Sequence, residues 1–402
     1  MPCENVVARL LLKAGKARVK CRTPFTIQML VTSENYVQNV TLGIDTGSSK
    51  IGSAAVGRDG SVLYMSEVEV RNDITAKMTQ RSKYRRNRRN RKTRYRKARW
   101  LNRRNSIKTD RFSPTMRSKF DSHYKEIRFV KSLLPISHTA LETATFDPHL
   151  LKDPSLHCRN WGYQKGTNYG FANTREFVLV RDGHVCQHCK GKSKDLRLEV
   201  HHIIFSSMGG SDDAENLITL CSSCHYNLHH GKLILKLSGK RKSQLKHATQ
   251  MNSIRQQLLR NIACEETFGF VTKENRFRMN LPKEHYIDAV VIASGGNAVS
   301  FVQDKILLKK CVNDGDYQQT KGVRSERRIP TGKIMGFRKF DKVEYLGEQY
   351  FIKGRMSSGY AILMDISGNK QQLKPTPKFF KMERIGARKS WIMKEEAMQN
   401  IA

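Results

Sequence analysis

The sequence predicts an α/β multidomain protein, and three observations carry that prediction. Residues 38–70 read as three strands, NVTLGID, KIGSAAVG and SVLYMSEVEV, parted by the turns TGSS and RDG. Further on, HYIDAVVIASG holds the apolar run of a buried helix. Residues 301–402 return to alternating strands, VEYLGEQYFIKG, YAILMDISGNKQQL and KFFKMERIG, with turns at Gly347, Gly359 and Gly368. A chain of 402 residues has room for several such domains.

Composition narrows the partner. The net charge of +37 is the electrostatic footprint of a polyanion binder, with nucleic acid the first candidate. No apolar run approaches the roughly 18 residues of a membrane helix, and no signal-peptide pattern is seen, so a membrane role is not expected. Of the nine cysteines, four fall in two C-x-x-C pairs. Cys3, Cys21, Cys158, Cys264 and Cys311 remain, an odd set without a pairing pattern, as in a reducing, cytoplasmic setting.

In chain order, residues 1–37 hold an apolar helical spacing (Val6, Val7, Leu10, Leu11) and a strand, FTIQMLV. This segment reads either as a packing appendage or as a basic RNA-contacting lobe. The first strand of 38–70 ends at Asp45. A rigid acid beside a Gly-rich turn can meet a phosphate through Mg²⁺, or simply shape the turn. Segment 71–105 contains 11 Arg and 3 Lys within the 24 positions 81–104, with no acid, Pro or Gly. Interleaved Tyr84, Tyr95 and Trp100 suit packing or base stacking. The run predicts a helix about 36 Å long. Its Arg81, Arg85, Arg86, Arg88, Arg89, Arg91, Arg94, Arg96, Arg99, Arg103 and Arg104 are expected to track phosphates. Segment 106–180 reads as a helix, a short strand presenting Glu142, and a Gly/Asn-rich linker with a helix. Segment 236–300 places His285 and Asp288 three apart on one helix face, able to serve one metal site or one phosphate.

Residues 181–235 carry the densest chemistry. Cys186/Cys189 and Cys221/Cys224 have the spacing of a structural Zn²⁺ site. LRLEVHHII alternates as a strand, so His201 and His202 point to opposite faces and cannot share a task. His225 and His229 lie four apart on a short helix, and Asn216 sits between strand and helix. One histidine kept for metal and one for a base suits phosphodiester hydrolysis. The competing reading is a zinc knuckle with satisfied histidines.

This arrangement resembles the HNH (ββα-metal) nuclease family. The resemblance implies His202 as general base, His201 and His225 as ligands of a catalytic Mg²⁺ with His229 assisting, and Asn216 bracing the loop that carries His202. Taken in order, LGIDTGSSKIG, the arginine run, ALETATFD, the HNH module and HYIDA resemble IscB, the transposon-encoded RNA-guided nucleases related to the HNH-containing CRISPR effectors. That resemblance implies a split RNase H-like RuvC domain with an inserted ββα-metal HNH module, an arginine-rich bridge helix and a small β-rich C-terminal domain. It implies a metal-dependent endodeoxyribonuclease with Asp45, Glu142 and Asp288 as Mg²⁺ ligands of RuvC and His285 as a base or phosphate contact. The implied partners are a guide RNA (ωRNA) and double-stranded DNA whose adjacent motif residues 301–402 would read, in a monomeric ribonucleoprotein. HNH would cut the guide-paired strand and RuvC the displaced one. Family members begin with an extra strand and a PLMP motif, so residues 1–37 are expected to form a truncated lobe with Met1-Pro2-Cys3 as its remnant. A guide-free homing or structure-specific endonuclease would share the module and the charge, but needs side chains placed to read bases in a groove. A noncatalytic RNA-binding protein would have lost an acid or an HNH histidine.

Overall fold

The structure, a computed structural model, describes residues 3–30, 38–89, 112–158, 163, 166, 168–235, 237, 239, 245–313, 317–319, 326–328 and 332–398. The main elements begin with α1 (Asn5–Lys13), β1 (Ala17–Arg22), β2 (Phe25–Met29), β3 (Val40–Asp45), β4 (Lys50–Gly57), β5 (Ser61–Glu69), α2 (Ile74–Arg89), α3 (Pro114–Leu133) and β6 (Ile136–Thr143). Then come α4 (Thr174–Arg181), β7 (Leu198–His202), β8 (Leu217–Cys221), α5 (Ser222–His229), α6 (Leu245–Asn261), β9 (Glu265–Phe268), α7 (Gly269–Arg278) and α8 (His285–Ser294). The chain closes with β10 (Ser300–Phe301), β11 (Lys305–Cys311), β12 (Tyr317–Gln319), β13 (Glu326–Arg328), β14 (Lys342–Tyr345), β15 (Glu348–Arg355), β16 (Ala361–Met364), β17 (Glu383–Gly386) and β18 (Trp391–Ala397). Two compact units result: Met1–Ala144 with Ser253–Ala402, and Thr145–Asn252. No helix among the described residues is long and apolar enough to cross a membrane.

An eight-stranded sheet is the largest in the first unit, in the order β18-β11-β5-β4-β3-β6-β9 with β10 beside β5. β3, β4 and β5 pair antiparallel; β6 and then β9 add parallel to β3, and β11 adds parallel to β5. β3 suits its inner place because VTLGID is covered along its whole length. Helix α8 lies against β3 and β4, burying Tyr286, Ile287 and Val290 with Val62, Met65 and Ile306. Gly43 and Gly52 permit that approach. A Cβ on Gly43 would stand 2.2 Å from Ala289 O, and one on Gly52 1.9 Å from His285 O. A larger residue at either position must push the helix off the sheet.

A buried ion pair ties β11 to this core. Lys309 and Glu126 of α3 both have fully covered side chains and meet at 2.6 Å. Ser53, Ser66 and Tyr64 hydroxyls donate to the same carboxylate at 2.7, 2.8 and 3.2 Å. Phe129 and Trp391 rings face Lys309 Nζ at 4.2 and 4.9 Å. Burial pushes Lys309 down to about 8. Burial also works to raise Glu126, but the adjacent ammonium outweighs it and holds the carboxyl below its usual range. Both partners are therefore charged at neutral pH. Such a pair adds little net stability, while stranding one charge is expensive. Lys309→Met should destabilise the fold by about 3–5 kcal/mol, and the double variant Glu126→Gln/Lys309→Met by much less. Thermal melts of the two variants beside the parent check this.

Residues 301–402, expected as one β-rich domain, are divided. β14 to β17 form a separate antiparallel sheet, ordered β16-β15-β14-β17, around Val343, Tyr345, Ile352, Leu363 and Phe379. β11 and β18, near the two ends of the segment, belong instead to the eight-stranded sheet, where they pair with each other. Apolar alternation marks a strand but does not name its partner. At the other terminus, α1 precedes the β1-β2 hairpin. It buries Ala8 and leaves Val6, Val7 and Leu10 exposed, so the apolar spacing there does not mark a core face.

Helix α2 begins at Ile74, before the arginine run, and presents Arg81, Arg85, Arg86, Arg88 and Arg89 to solvent. Tyr84 is buried and accepts from Gln80 Nε2 at 2.7 Å, so this ring packs rather than stacks on a base. Arg91, Arg94, Arg96, Arg99, Arg103 and Arg104, with Tyr95 and Trp100, lie outside the described residues.

The second unit centres on the antiparallel β7-β8 pair, with α4 before it and α5 after it. Arg181, at the end of α4, donates to Ala214 O and Leu217 O at 2.7 and 2.8 Å, which fixes the helix to the start of β8.

Candidate active sites

Three groups of ionisable residues mark candidate sites, one in the first unit and two in the second. In the first unit, parallel pairing puts Asp45 at the end of β3 directly opposite Glu142 in β6. The first turn of α8 brings His285 Nδ1 to 2.6 Å from Asp45 Oδ2. One turn on, Asp288 forms an ion pair with Arg276 of α7 at 2.8 Å. Burial pushes the Glu142 carboxyl up to about 7, and the charges of Asp45 and Asp288 push the same way, against the nearby Thr272 hydroxyl and His285. Burial and Asp45 also raise Asp288, against Arg276 and His285. The hydrogen bond to Asp45 raises His285 despite burial. Glu142 Oε2 is buried with no hydrogen-bond partner. Two acids raised by burial and by neighbouring charge, together with an orphaned carboxylate oxygen, fit a divalent cation, whose charge would reverse these shifts.

In the second unit, the four thiols Cys186, Cys189, Cys221 and Cys224 lie within 4.8 Å of one another. Cys189 and Cys221 Sγ are 3.8 Å apart, which is about the edge of a tetrahedron built on ~2.3 Å zinc–sulfur bonds. Hydrogen bonds from Ser193 pull Cys189 down to about 5, while burial pushes Cys224 up. The set fits a structural zinc ion.

The histidines divide as adjacent strand residues must. His201 is buried, and its ligand nitrogens lie within 4.8 Å of those of His225 and His229. His225 and His229 Nε2 are 3.2 Å apart. Burial pushes His201 down to about 4, with His225 and His229 adding to it, so its ring is neutral, and its Nε2 is buried without a partner. Three converging imidazoles, with a bare nitrogen on the neutral His201 ring, fit a cation. His202 turns to the other face, where Nε2 lies 2.9 Å from Asp212 Oδ1. Asn216, wholly buried, accepts from Ile204 N at 3.0 Å and donates to Ile204 O and Ser211 O at 3.1 and 2.8 Å, clamping the loop after His202.

Sequence reasoning missed four residues here. Glu199 Oε2 sits 2.7 Å from His225 Nδ1 and so orients that ring with Nε2 toward the cluster. Its signal was present, since it lies two residues before His201 on the same strand face. Asp212, Arg276 and Thr272 follow no spacing that marks them.

Of two family matches, one lies wholly within the second unit. Residues 1–166 match the family described as RRXRR protein, and residues 186–231 match HNH endonuclease. The type IV methyl-directed restriction enzyme EcoKMcrA of Escherichia coli (strain K12) is 35% identical over 65 residues, covering 14% of this chain and 23% of that protein. The probable mobile endonuclease C of Enterobacteria phage T4 is 54% identical over 41 residues, covering 10% and 19%. This chain thus spans less than a quarter of the length of either relative. Among solved structures, Streptococcus thermophilus Cas9 in complex with the AGAA PAM aligns at 12% identity and TM-score 0.32, covering 60% of this chain and 32% of that one.

Proposed function

From the premise that this chain is an IscB-like HNH nuclease, with an RRXRR region and an HNH endonuclease domain in one polypeptide, we propose that it is an RNA-guided DNA endonuclease acting in a prokaryotic cytoplasm. The observation that carries the proposal is that the chain holds two different clusters suited to binding a cation, histidines in one unit and carboxylates in the other. Two such centres suit a nuclease that opens a duplex and cuts each strand by separate means.

In the histidine site, His202 is the general base. Asp212 holds Nε2–H, so Nδ1 is the atom that takes the proton from water. His201, His225 and His229 would hold a divalent cation, for which three imidazoles suit a transition-metal ion better than the expected Mg²⁺, and which when bound would polarise the scissile phosphate. Glu199 fixes the His225 ring and Asn216 holds the loop after His202, so the base and the ligands keep their separate faces.

The carboxylate site supports the split RuvC reading through its strand order, a β5-β4-β3-β6-β9 sheet with Asp45 and Glu142 side by side at one end. Asp45, Glu142 and Asp288 would hold the Mg²⁺ that stabilises charge on the attacking and leaving oxygens. His285 keeps its proton at Nδ1 on Asp45 and sets that carboxylate's direction. Arg276 does the same for Asp288. By this reading HNH cuts the guide-paired strand and RuvC the displaced strand. The arginines of α2 grip the backbone of a guide RNA (ωRNA), and the β14–β17 sheet meets a short motif in target DNA. Base pairing then reads the sequence while the protein reads shape.

The test is to purify the protein from cells carrying its native locus and sequence the RNA that comes with it. One dominant structured RNA with a variable end is expected. A smear of random RNA removed by high salt would reflect the phosphate attraction of a +37 chain alone, and would transfer the case to a guide-free HNH endonuclease.

A further inference from the structure

We propose that α7 presents a stacking platform for the bases of single-stranded DNA beside the carboxylate site. The proposal rests on the RuvC reading and names how that site would hold its strand. Phe268, the last residue of β9, and Phe270, in the first turn of α7, stack with centroids 6.1 Å apart and planes 6° from parallel. Gly269 between them is pressed on the site: a Cβ there would stand 3.1 Å from Glu142 Oε1. The rings are not core. Phe268 is 37% exposed, Phe270 70% and Phe277 64%.

Phe270, Lys273 and Phe277 follow one another at i, i+3 and i+7, so they share a face of α7. Lys273 Nζ lies 5.8 Å from the Phe277 centroid and the Arg276 guanidinium 5.2 Å from it. Single exposed apolar residues are common and mean little. Here three exposed rings and a cation follow one another along the chain around the glycine packed beside Glu142. Phe270 to Phe277 spans about 10 Å at 1.5 Å per residue, about the length of three nucleotides at 3.4 Å spacing. Rings offer stacking to any base, while Lys273 answers the backbone charge. A paired duplex hides its base faces, so the fitting occupant is an unpaired DNA strand. Arg276, buried and bound to Asp288, links the platform to the acids that would cut that strand.

The experiment uses the full chain with its RNA and a target duplex labelled on each strand. Phe270→Ala/Phe277→Ala should slow cutting of the displaced strand about 10- to 100-fold and leave the guide-paired strand cut at the parental rate, which also shows that the variant folds. Phe270→Trp/Phe277→Trp should restore the rate. Abasic residues flanking the scissile position should slow the parent similarly but add nothing in the alanine variant. Equal displaced-strand rates in parent and alanine variant would overturn the platform. If Asp45→Ala abolishes that cut while the alanine pair leaves it intact, the platform alone fails. If Asp45→Ala also leaves it intact, the RuvC reading fails with it.

Discussion

His202→Ala is expected to slow cutting of the guide-paired strand by about 10²–10⁴-fold, the usual contribution of a positioned general base, and to leave the displaced strand cut as before. The product changes from a double-strand break to a nick. The effect should be confined to one strand because His202 lies on the face of β7 opposite His201, and its ring contacts Asp212 rather than the histidine cluster. Removing it leaves the ligand set intact. Strand-resolved gels on a duplex labelled at both 5′ ends decide the matter. A double-strand break made by this variant at the parental rate would remove His202 from the reaction.

Asp45→Ala should produce the complementary nick, with displaced-strand cutting reduced by about 10³-fold or more. Loss of several kcal/mol of charge stabilisation at the phosphate corresponds to that range. Asp45 is the acid that both Glu142 and Asp288 sense, and the anchor to which His285 donates. Its removal therefore disturbs three neighbours as well as one ligand. The stability cost should be small, because Asp45 sits at a strand end and keeps its backbone pairing to Gly52 and Glu142. A parental melting temperature beside a lost nick separates catalysis from folding. Unchanged cutting of the displaced strand would take Asp45 out of the site.

What could be read from the sequence was what local spacing determines. The two C-x-x-C pairs, the adjacent His201 and His202, and the four-residue step from His225 to His229 announce their geometry because strand and helix periods fix which side chains share a face. The juxtaposition of Asp45, Glu142 and Asp288 could not be read that way. It depends on a parallel register between strands some ninety residues apart in sequence and on a helix resting on two glycines. Resemblance to a family suggested the grouping; spacing did not. Arg276 was invisible for the same reason, since nothing in GFVTKENRFR says that one of its arginines faces an acid on the next helix. The placement of β11 escaped because KILLKKC reads as a strand of any sheet, and the Glu126 that receives its Lys309 lies on α3.

The pairing of β11 with β18 also sets how this protein can be rebuilt. Cys311 and Trp391 are direct partners across that ladder, so the chain leaves the large sheet and returns to it at neighbouring points. Residues 312–390 are an insertion rather than a tail. Truncation after residue 300 would strip β11 and β18, cut through β10 and leave Glu126 without its lysine, whereas exchange of the insertion for another module, or for a tight hairpin turn, would leave the sheet's pairing scheme unbroken. Evolution and engineering thus have the same seam to work at: the segment between Cys311 and Trp391 can be exchanged while the large sheet keeps its frame.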